Sequence, residues 1–312
     1  MVPFRFLFLV FALGSAPFVW STIQAPSVAP DQLLLDIQQL IQQGNLPGAR
    51  TRISAAIQRY PQEASLYSFL GVVDAQEKRY RQAEINFRKA ITLSPQFQGP
   101  YLNLGHLYQD NQAADPVAVV KAIEVYEGLL KVDSNNQEAH YQLAVLLLGR
   151  SEYRASLDHT QRLPDSMRTS PQVLSVRCAS LAALGRASEA EAVAKELLSG
   201  TAMNEADIVS ILPTLEKSGF DSVQILLLEG LASTKKASPG TLHQLGLIYE
   251  RQGQLENSRA TLEKVAERQT ITSGLLLELA RIAYKQKDNK GALGYLAHAQ
   301  DLDPRNPAIY FF

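Results

Sequence analysis

The residues of this 312-residue chain that could carry chemistry are few and widely spaced. Its five histidines are His106, His140, His159, His243 and His298. No two of them frame a glutamate at the four-residue spacing with which a helix holds zinc, so the pattern predicts no metal site. His140 falls at an apolar position and is expected to be a buried, hydrogen-bonded side chain. His106 and His243 are expected to be exposed polar contact residues.

The single cysteine, Cys178, would act as a nucleophile only beside a helix N-terminus or a basic side chain, with a partner histidine. Its neighbour Arg177 would point away from it on a helix. A small buried thiol is therefore expected, and one cysteine excludes an internal disulfide. Glycine-rich phosphate loops and the G-x-S-x-G and H-E-x-x-H motifs are absent from the sequence. We predict no enzyme activity and no cofactor.

The charge balance argues against a nucleic-acid partner. Lys and Arg number 30 against 31 Asp and Glu, for a formal net charge of −1. The basic run of residues 78–81, KRYR, has no second cluster to reinforce it and is expected to be a solvated turn. Carboxylates such as Glu189 and Glu191 are expected on solvated helix faces. Abundant Ala, Leu and Gln favour helices.

The most regular feature of the chain is a repeat of about 34 residues. A shift of 34 from residues 64–97 places Tyr101, Leu104 and Gly105 on its first three signature positions. Near the C-terminus, Ala292, Leu296, Ala299 and Pro304 repeat the spacing of the last four. The signature positions of residues 64–97 are Tyr67, Leu70, Gly71, Ala83, Phe87, Ala90 and Pro95.

This spacing predicts a pair of helices. Tyr67 and Leu70 share one helix face, as do residues four apart in the second segment. Gly71 and Ala83 are small, which lets the two helices approach closely, because a larger side chain there would overpack the contact. Pro95 ends the second helix. Since one hairpin cannot bury such a face alone, the hairpins must stack.

The signature resembles that of the tetratricopeptide repeat. The resemblance implies an all-α fold, a right-handed superhelical solenoid of about eight helical hairpins over residues 31–306, followed by a tail at 307–312. Read in one frame, the repeats cover residues 30–63, 64–97, 98–136, 137–170, 171–203, 204–238, 239–272 and 273–306. The repeats at 137–170 and 204–238 are degenerate, and we hypothesise that they divide the stack into two rigid parts.

Several departures from the frame carry their own predictions. The third repeat has five extra residues, with Asp115 as the expected helix cap and Pro116 as the first helical residue. This insertion is predicted to lengthen the second helix by over a turn, to about residues 116–132. Residues 164–171 are expected to be a loop, and Pro213 is expected to kink its helix.

The tail matches the first turn of a ninth repeat. Tyr310, Phe311 and Phe312 are expected to fold back over the last hairpin. The alternatives are that these aromatic residues bind a partner or that the reading frame is truncated.

Residues 1–22 are typical of a secretory signal, with one positive charge at Arg5 and then an apolar run to Trp20. The run is short for a membrane span and is interrupted by Pro17. A cleaved signal peptide is expected, or alternatively an uncleaved membrane anchor over residues 5–22, followed by a linker at 23–30. The chain is accordingly expected in the bacterial periplasm or secreted, with membrane contact only through an uncleaved segment.

The family resemblance implies that the first helix of each hairpin lines a concave groove that takes a protein or peptide. A family clamp for C-terminal carboxylates is matched only at Asn103, so that mode is not expected. Glycan binding would need several stacked aromatic residues, and only Phe69 and Tyr141 qualify. The predicted groove residues are Ser68, Phe69, Gln76, Asn103, His106, Gln109, Tyr141, Gln142, His243, Gln244, Glu250, Arg251, Glu278, Arg281 and Lys285.

The sequence therefore predicts a non-enzymatic, extracytoplasmic scaffold or adaptor that binds protein partners in a bacterial cell-envelope assembly. Two alternatives remain open at this point. The chain could be the regulatory or partner-binding portion of a longer enzyme, or a glycan-binding solenoid.

Overall fold

The computed structural model describes residue 29 and residues 31–200, 204–234 and 237–311. This part of the chain forms α-helices and one 3-10 helix, and it contains no strand. No helix within it is long and apolar enough to cross a membrane. The predicted signal and most of the predicted linker lie outside the described residues, as does Phe312.

The chain divides into two compact units, Met1–Leu143 and Ala144–Phe312. The boundary falls inside the first helix of the degenerate repeat at 137–170. The helices that begin in the first unit are α1 (Asp31–Gln42), α2 (Leu46–Arg59), α3 (Ala64–Gln76), α4 (Tyr80–Leu93), α5 (Gln98–Asp110), α6 (Ala118–Val132) and α7 (Gln137–Gly149).

The second unit continues the alternation of helices. Its helices are α8 (Tyr153–Gln161), α9 (Asp165–Arg168), α10 (Pro171–Ala183), α11 (Ala187–Ser199), α12 (Glu205–Val209), α13 (Leu212–Lys217), α14 (Asp221–Ser233), α15 (Pro239–Arg251), α16 (Leu255–Arg268), α17 (Ser273–Lys285) and α18 (Asn289–Leu302), followed by the 3-10 helix Pro307–Phe311. Within each unit, the two helices of a repeat pack against each other, as α3 does with α4 and α15 with α16. The predicted all-α fold of repeated helical pairs is confirmed.

The turn inside the hairpins repeats with the same period. In seven hairpins, one residue just after the first helix has a left-handed backbone, with φ between 61° and 76°. The following N–H then bonds back to the first helix, as Arg79 does to the carbonyl of Asp74 at 2.8 Å. This is the Schellman ending of a helix, which favours glycine. The seven residues are Gly44, Lys78, Ser151, Gly185, Gly219, Gly253 and Lys287.

The predicted effect of the insertion is wrong. Helix α6 has 15 residues against 14 in α4, so only one of the five extra residues extends the helix. The other four lengthen the turn, which spans residues 111–117 instead of the three residues 77–79. Asp115 holds this turn, because its carboxylate accepts the N–H of Val117 at 3.0 Å and the ammonium of Lys121 at 2.8 Å.

Two further departures differ from the prediction in detail. Residues 164–171 are not simply a loop, since they include the one-turn helix α9, whose N–H groups at Met167 and Arg168 bond to the carbonyl of Pro164. Pro213 does more than kink its helix, because it has no N–H to donate backward. The first helix of that repeat is broken into α12 and α13 at residues 210–211.

The tail begins as a ninth repeat would. The hydroxyl of Tyr310 donates to the carbonyl of Pro304, as the hydroxyl of Tyr67 donates to that of Pro61. Tyr310 does not fold back, because it is 66% exposed, and the buried residue is Ile309 beside it, packed on α17 and α18. The side chain of Phe311 lies outside the description.

Candidate functional site

The predicted groove residues lie on first helices of both compact units. In the first unit they occupy α3, α5 and the start of α7, and in the second unit α15 and α17. Ser68 is only 6% exposed, so its expected role as a surface contact is wrong. Phe69 and Gln76, on the same helix, are half-buried.

Three predicted residues of the first unit, His106, Gln109 and Gln142, form one polar network between α5 and α7. Gln109 donates to Gln142 at 2.9 Å, and Gln142 donates to Glu138 at 2.6 Å. The ring of His106 lies 3.6 Å from Glu138, from Nε2 to Oε1. The hydroxyl of Tyr126, on α6, donates to Gln109 at 2.9 Å. The network therefore fixes the two first helices and their polar groups relative to each other.

Glu138 carries the negative charge of this network. The nearby ring of His106 lowers the pKa of the Glu138 carboxyl, and the hydrogen bond from Gln142 adds to that effect, against the opposing effect of burial. Asp110 stands one turn along α5 from His106, is exposed, and has its pKa raised by partial burial. Asn103 is half-buried and makes no side-chain hydrogen bond within the described residues. Within the described residues, this face thus offers the amide of Asn103 and the carboxylate of Asp110 without side-chain hydrogen bonds, while Tyr141 beside them is half-buried.

The second unit links its first helices with ion pairs. Arg281 donates to both carboxylate oxygens of Glu250, at 2.9 and 2.7 Å, and Lys285 donates to Oε1 of the same residue at 2.8 Å. His243 Nε2 lies 2.6 Å from Glu278 Oε2. Each pair joins α15 to α17. Burial alone would raise the pKa of Glu250, but the hydrogen bonds from Lys285 and Arg281 lower it.

A further pair connects α15 to the preceding hairpin. Arg251 donates to Asp221 at 2.7 Å and contacts Glu216 at 3.3 Å. Burial opposes the charge of Asp221, but the bonds from Arg251 and Gln252 lower its pKa overall. The predicted residue Gln244 is exposed.

The sequence reading missed the acidic partners in these networks. Glu138, Asp221 and Glu216 were not among the predicted groove residues, although Glu138 lies on the first helix α7. Asp221 is the first residue of the second helix α14, and Glu216 lies in the last turn of α13, the second piece of the broken first helix. A helical period shows which residues share a face, but the register between helices decides which of them meet.

His140 and Cys178, which lie outside these networks, are both buried. His140 is 2% exposed, and its Nε2 lies 3.0 Å from the carbonyl of Ser134, as expected for a buried, hydrogen-bonded histidine. Cys178 is fully buried against the carbonyl of Ala190, and burial raises the pKa of its thiol to about 12. A thiol held neutral in this way is a poor nucleophile. No group of side chains within the described residues is arranged to hold a metal ion.

The sequence model of the tetratricopeptide repeat family matches residues 37–96 and 243–307. These segments lie in different compact units, and both consist of the paired helices described above. Both compact units of the chain thus contain tetratricopeptide repeats. Proteins built from these repeats are generally non-catalytic scaffolds that bind proteins or peptides.

Solved structures resemble the fold across most of the chain. A tetratricopeptide repeat protein from Parabacteroides merdae is 18% identical, with 90% of this chain and 96% of that chain covered and a TM-score of 0.50. The C-terminal part of a repeat protein from Cytophaga hutchinsonii is 11% identical, with 89% and 98% covered and a TM-score of 0.50. At such identities the likeness shows the fold alone. No curated protein matches the sequence.

Proposed function

We propose that this chain is a non-catalytic scaffold or adaptor that binds a segment of a protein partner along the exposed faces of its first helices. The observation that carries this proposal is the network of His106, Gln109, Glu138 and Gln142 between α5 and α7. It holds polar side chains in place before a partner arrives, which reduces the ordering cost of binding. Asn103 and Asp110 lie on the same helix with hydrogen-bonding capacity to spare.

The proposed compartment is extracytoplasmic, and the proposed setting is a cell-envelope assembly. The support is the charged and then apolar start of the sequence, together with a single buried cysteine that needs no reducing compartment. Alkaline phosphatase, which is active only after export, tests this when fused after residue 30. An active fusion supports export, and an inactive fusion that accumulates in the cytoplasm contradicts it.

Site-specific photocrosslinking tests the binding surface. A photoreactive amino acid at Asn103 or Gln244 should yield a discrete crosslinked band in cells that make the protein, because both positions lie on first helices. The same amino acid at Gln58 or Lys264, which are exposed on second helices, is the matched control. Bands of equal strength from all four positions would show that the partner has no preference for the first helices. The absence of any band would contradict partner binding by this surface.

A further inference from the structure

On the surface formed by α15 and α17, the negative charge of Glu250 is covered and the positive charges bonded to it are exposed. Arg281 and Lys285 share the single carboxylate of Glu250. The side chain of Glu250 is 8% exposed, whereas those of Arg281 and Lys285 are 45% and 48% exposed. The two cations therefore lie over the anion, and they exceed it by one charge. A molecule that approaches this surface meets guanidinium and ammonium groups.

The positive charge continues into the turn after α17 and the start of α18. Lys287 and Lys290 are exposed, and within the described residues neither makes an ion pair. The acidic residue between them, Asp288, is already bonded to Arg259 at 2.7 Å. Tyr284, on the same helix as the first two cations, is 65% exposed. We name the set of Arg281, Tyr284, Lys285, Lys287 and Lys290 the cationic edge.

We infer that the cationic edge binds an acidic segment of the protein partner, with carboxylates on its four cations and an apolar side chain against Tyr284. This inference rests on the proposed function and names the chemistry of the partner. Charge-assisted hydrogen bonds to carboxylates are the strong contacts that Arg and Lys can make at a half-exposed site. An exposed aromatic ring adds apolar contact area beside them.

The arrangement favours an acidic peptide over a phosphate backbone or an anionic membrane. Arg281 and Lys285 are already bonded to Glu250, so this surface has too few free cations to neutralise a dense line of phosphates. The excess positive charge is small, and the whole chain carries a net charge of −1. Nucleic-acid binding draws on many phosphate contacts over a basic face. One or two carboxylates match the charge that is available here.

A selection from a random peptide library tests the inference without knowledge of the partner. A display library of random dodecapeptides is selected on the full chain, and the recovered pool is sequenced. Asp and Glu should be enriched over the unselected pool. The variant Lys287→Glu/Lys290→Glu should lose this enrichment, because it reverses two cations without touching the bonds to Glu250. The control variant Lys195→Glu/Lys264→Glu makes the same change of charge on second helices and should keep it.

The affinity of an enriched peptide gives the second readout. In fluorescence anisotropy its Kd should rise at least about tenfold for Arg281→Gln/Lys285→Gln, because the loss of one charge-assisted hydrogen bond already has that effect and the variant removes two cations. Its Kd should also rise with salt, since exposed charges are screened. Circular dichroism and the melting temperature show that each variant is folded, and the two double variants remove cations in different ways.

The outcomes separate this inference from the proposed function. Peptides that are enriched without a preference for Asp and Glu would overturn the acidic partner and leave the scaffold in place. The same holds if acidic peptides bind every variant equally. Recovery of no peptide on the wild-type chain would contradict both. Binding to duplex DNA or to phosphatidylserine vesicles that only Lys287→Glu/Lys290→Glu abolishes would assign the edge to phosphates, and the inference would be wrong.

Discussion

Gly71 of α3 lies directly against the phenyl ring of Phe87 of α4. A Cβ atom built on Gly71 would stand 2.6 Å from Cδ1 of that ring, closer than two carbon atoms can approach. The same relationship recurs in the second unit, where a Cβ on Gly246 would stand 2.6 Å from Cδ2 of Leu262. The expectation that a small residue is needed at this position is confirmed, and the reason is the large side chain that fills the hairpin opposite it.

Substitution of Gly71 by Ala should therefore destabilise the protein by about 1–3 kcal/mol, the usual cost of overpacking. Phe87 is fully buried, so its ring cannot simply swing aside. Gly294→Ala is the matched control, because nothing lies within 4 Å of a Cβ at that helical position. It should stabilise by up to about 1 kcal/mol through helix propensity. Urea denaturation measures both, and equal effects would contradict the contact.

Lys78 occupies a turn position that four other hairpins give to glycine. Its φ of 61° is costly for a residue with a side chain. Lys78→Gly should stabilise the first unit by about 1 kcal/mol, whereas Lys78→Ala keeps the strain and should not. Thermal unfolding of the two variants distinguishes relief of the backbone from loss of the lysine. Equal stability of the two variants would show that the backbone is not strained there.

The sequence predicted the hairpins well because their contacts depend on the size of residues at fixed spacing, as at Gly71 and Phe87. It did not predict whether the five extra residues of the third repeat lengthen the second helix or the turn before it. A longer helix and a longer turn satisfy the same repeat pattern. The bonds of Asp115 to Val117 and Lys121 stabilise the longer turn. Such bonds depend on local geometry that a repeat pattern does not contain.

The candidate site was predicted at the level of helix faces and no further. Arg281 and Glu250 were both placed on first helices, yet their bond joins residues 31 positions apart on different helices. Ser68 shares the helical period of a groove residue but is buried. Contacts between helices set both outcomes, and they depend on rotation and register that one helix's sequence does not reveal.

Cys178 should be unreactive in the folded protein. Burial raises the pKa of its thiol to about 12, so at pH 8 almost none of it is thiolate, and its sulfur is not accessible. A thiol reagent such as 5,5′-dithiobis(2-nitrobenzoic acid) should label it at least about a hundredfold faster in urea than in buffer. Rapid labelling of the native chain, at a rate unchanged by urea, would show that the thiol is exposed.

Ser156 and Ser180 form a buried pair of hydroxyl groups, in which Ser156 is the hydrogen-bond acceptor for Ser180. Ser180 donates to Ser156 at 3.1 Å, and Ser156 donates to the carbonyl of Ala144 at 2.7 Å. Ser156→Ala should cost about 1–2 kcal/mol, because it leaves the Ser180 hydroxyl buried without its acceptor. The double variant Ser156→Ala/Ser180→Ala should recover part of that loss. Strict additivity in a double-mutant cycle would mean that the two hydroxyls are not coupled.

The bonds of Glu250 to Arg281 and Lys285 should make stability depend on pH in the acid range. Their effect exceeds that of burial, so the pKa of Glu250 is lower in the folded chain than in the unfolded chain. The stabilisation is therefore fully present above the unfolded pKa, about 4.3, and is lost as pH falls through the folded value.

Glu250→Gln should accordingly be less stable than the wild type by about 1–2 kcal/mol at pH 7, and this difference should shrink below about pH 4.3. Urea denaturation of both proteins from pH 7 to pH 3 measures it. In the background Arg281→Gln/Lys285→Gln the carboxylate has lost its cations, and Glu250→Gln should then cost little at either pH. A protonated carboxyl and an amide have nearly the same shape, so packing contributes equally to both proteins, and a difference that persists unchanged at pH 3 would contradict the loss of these bonds on protonation of Glu250.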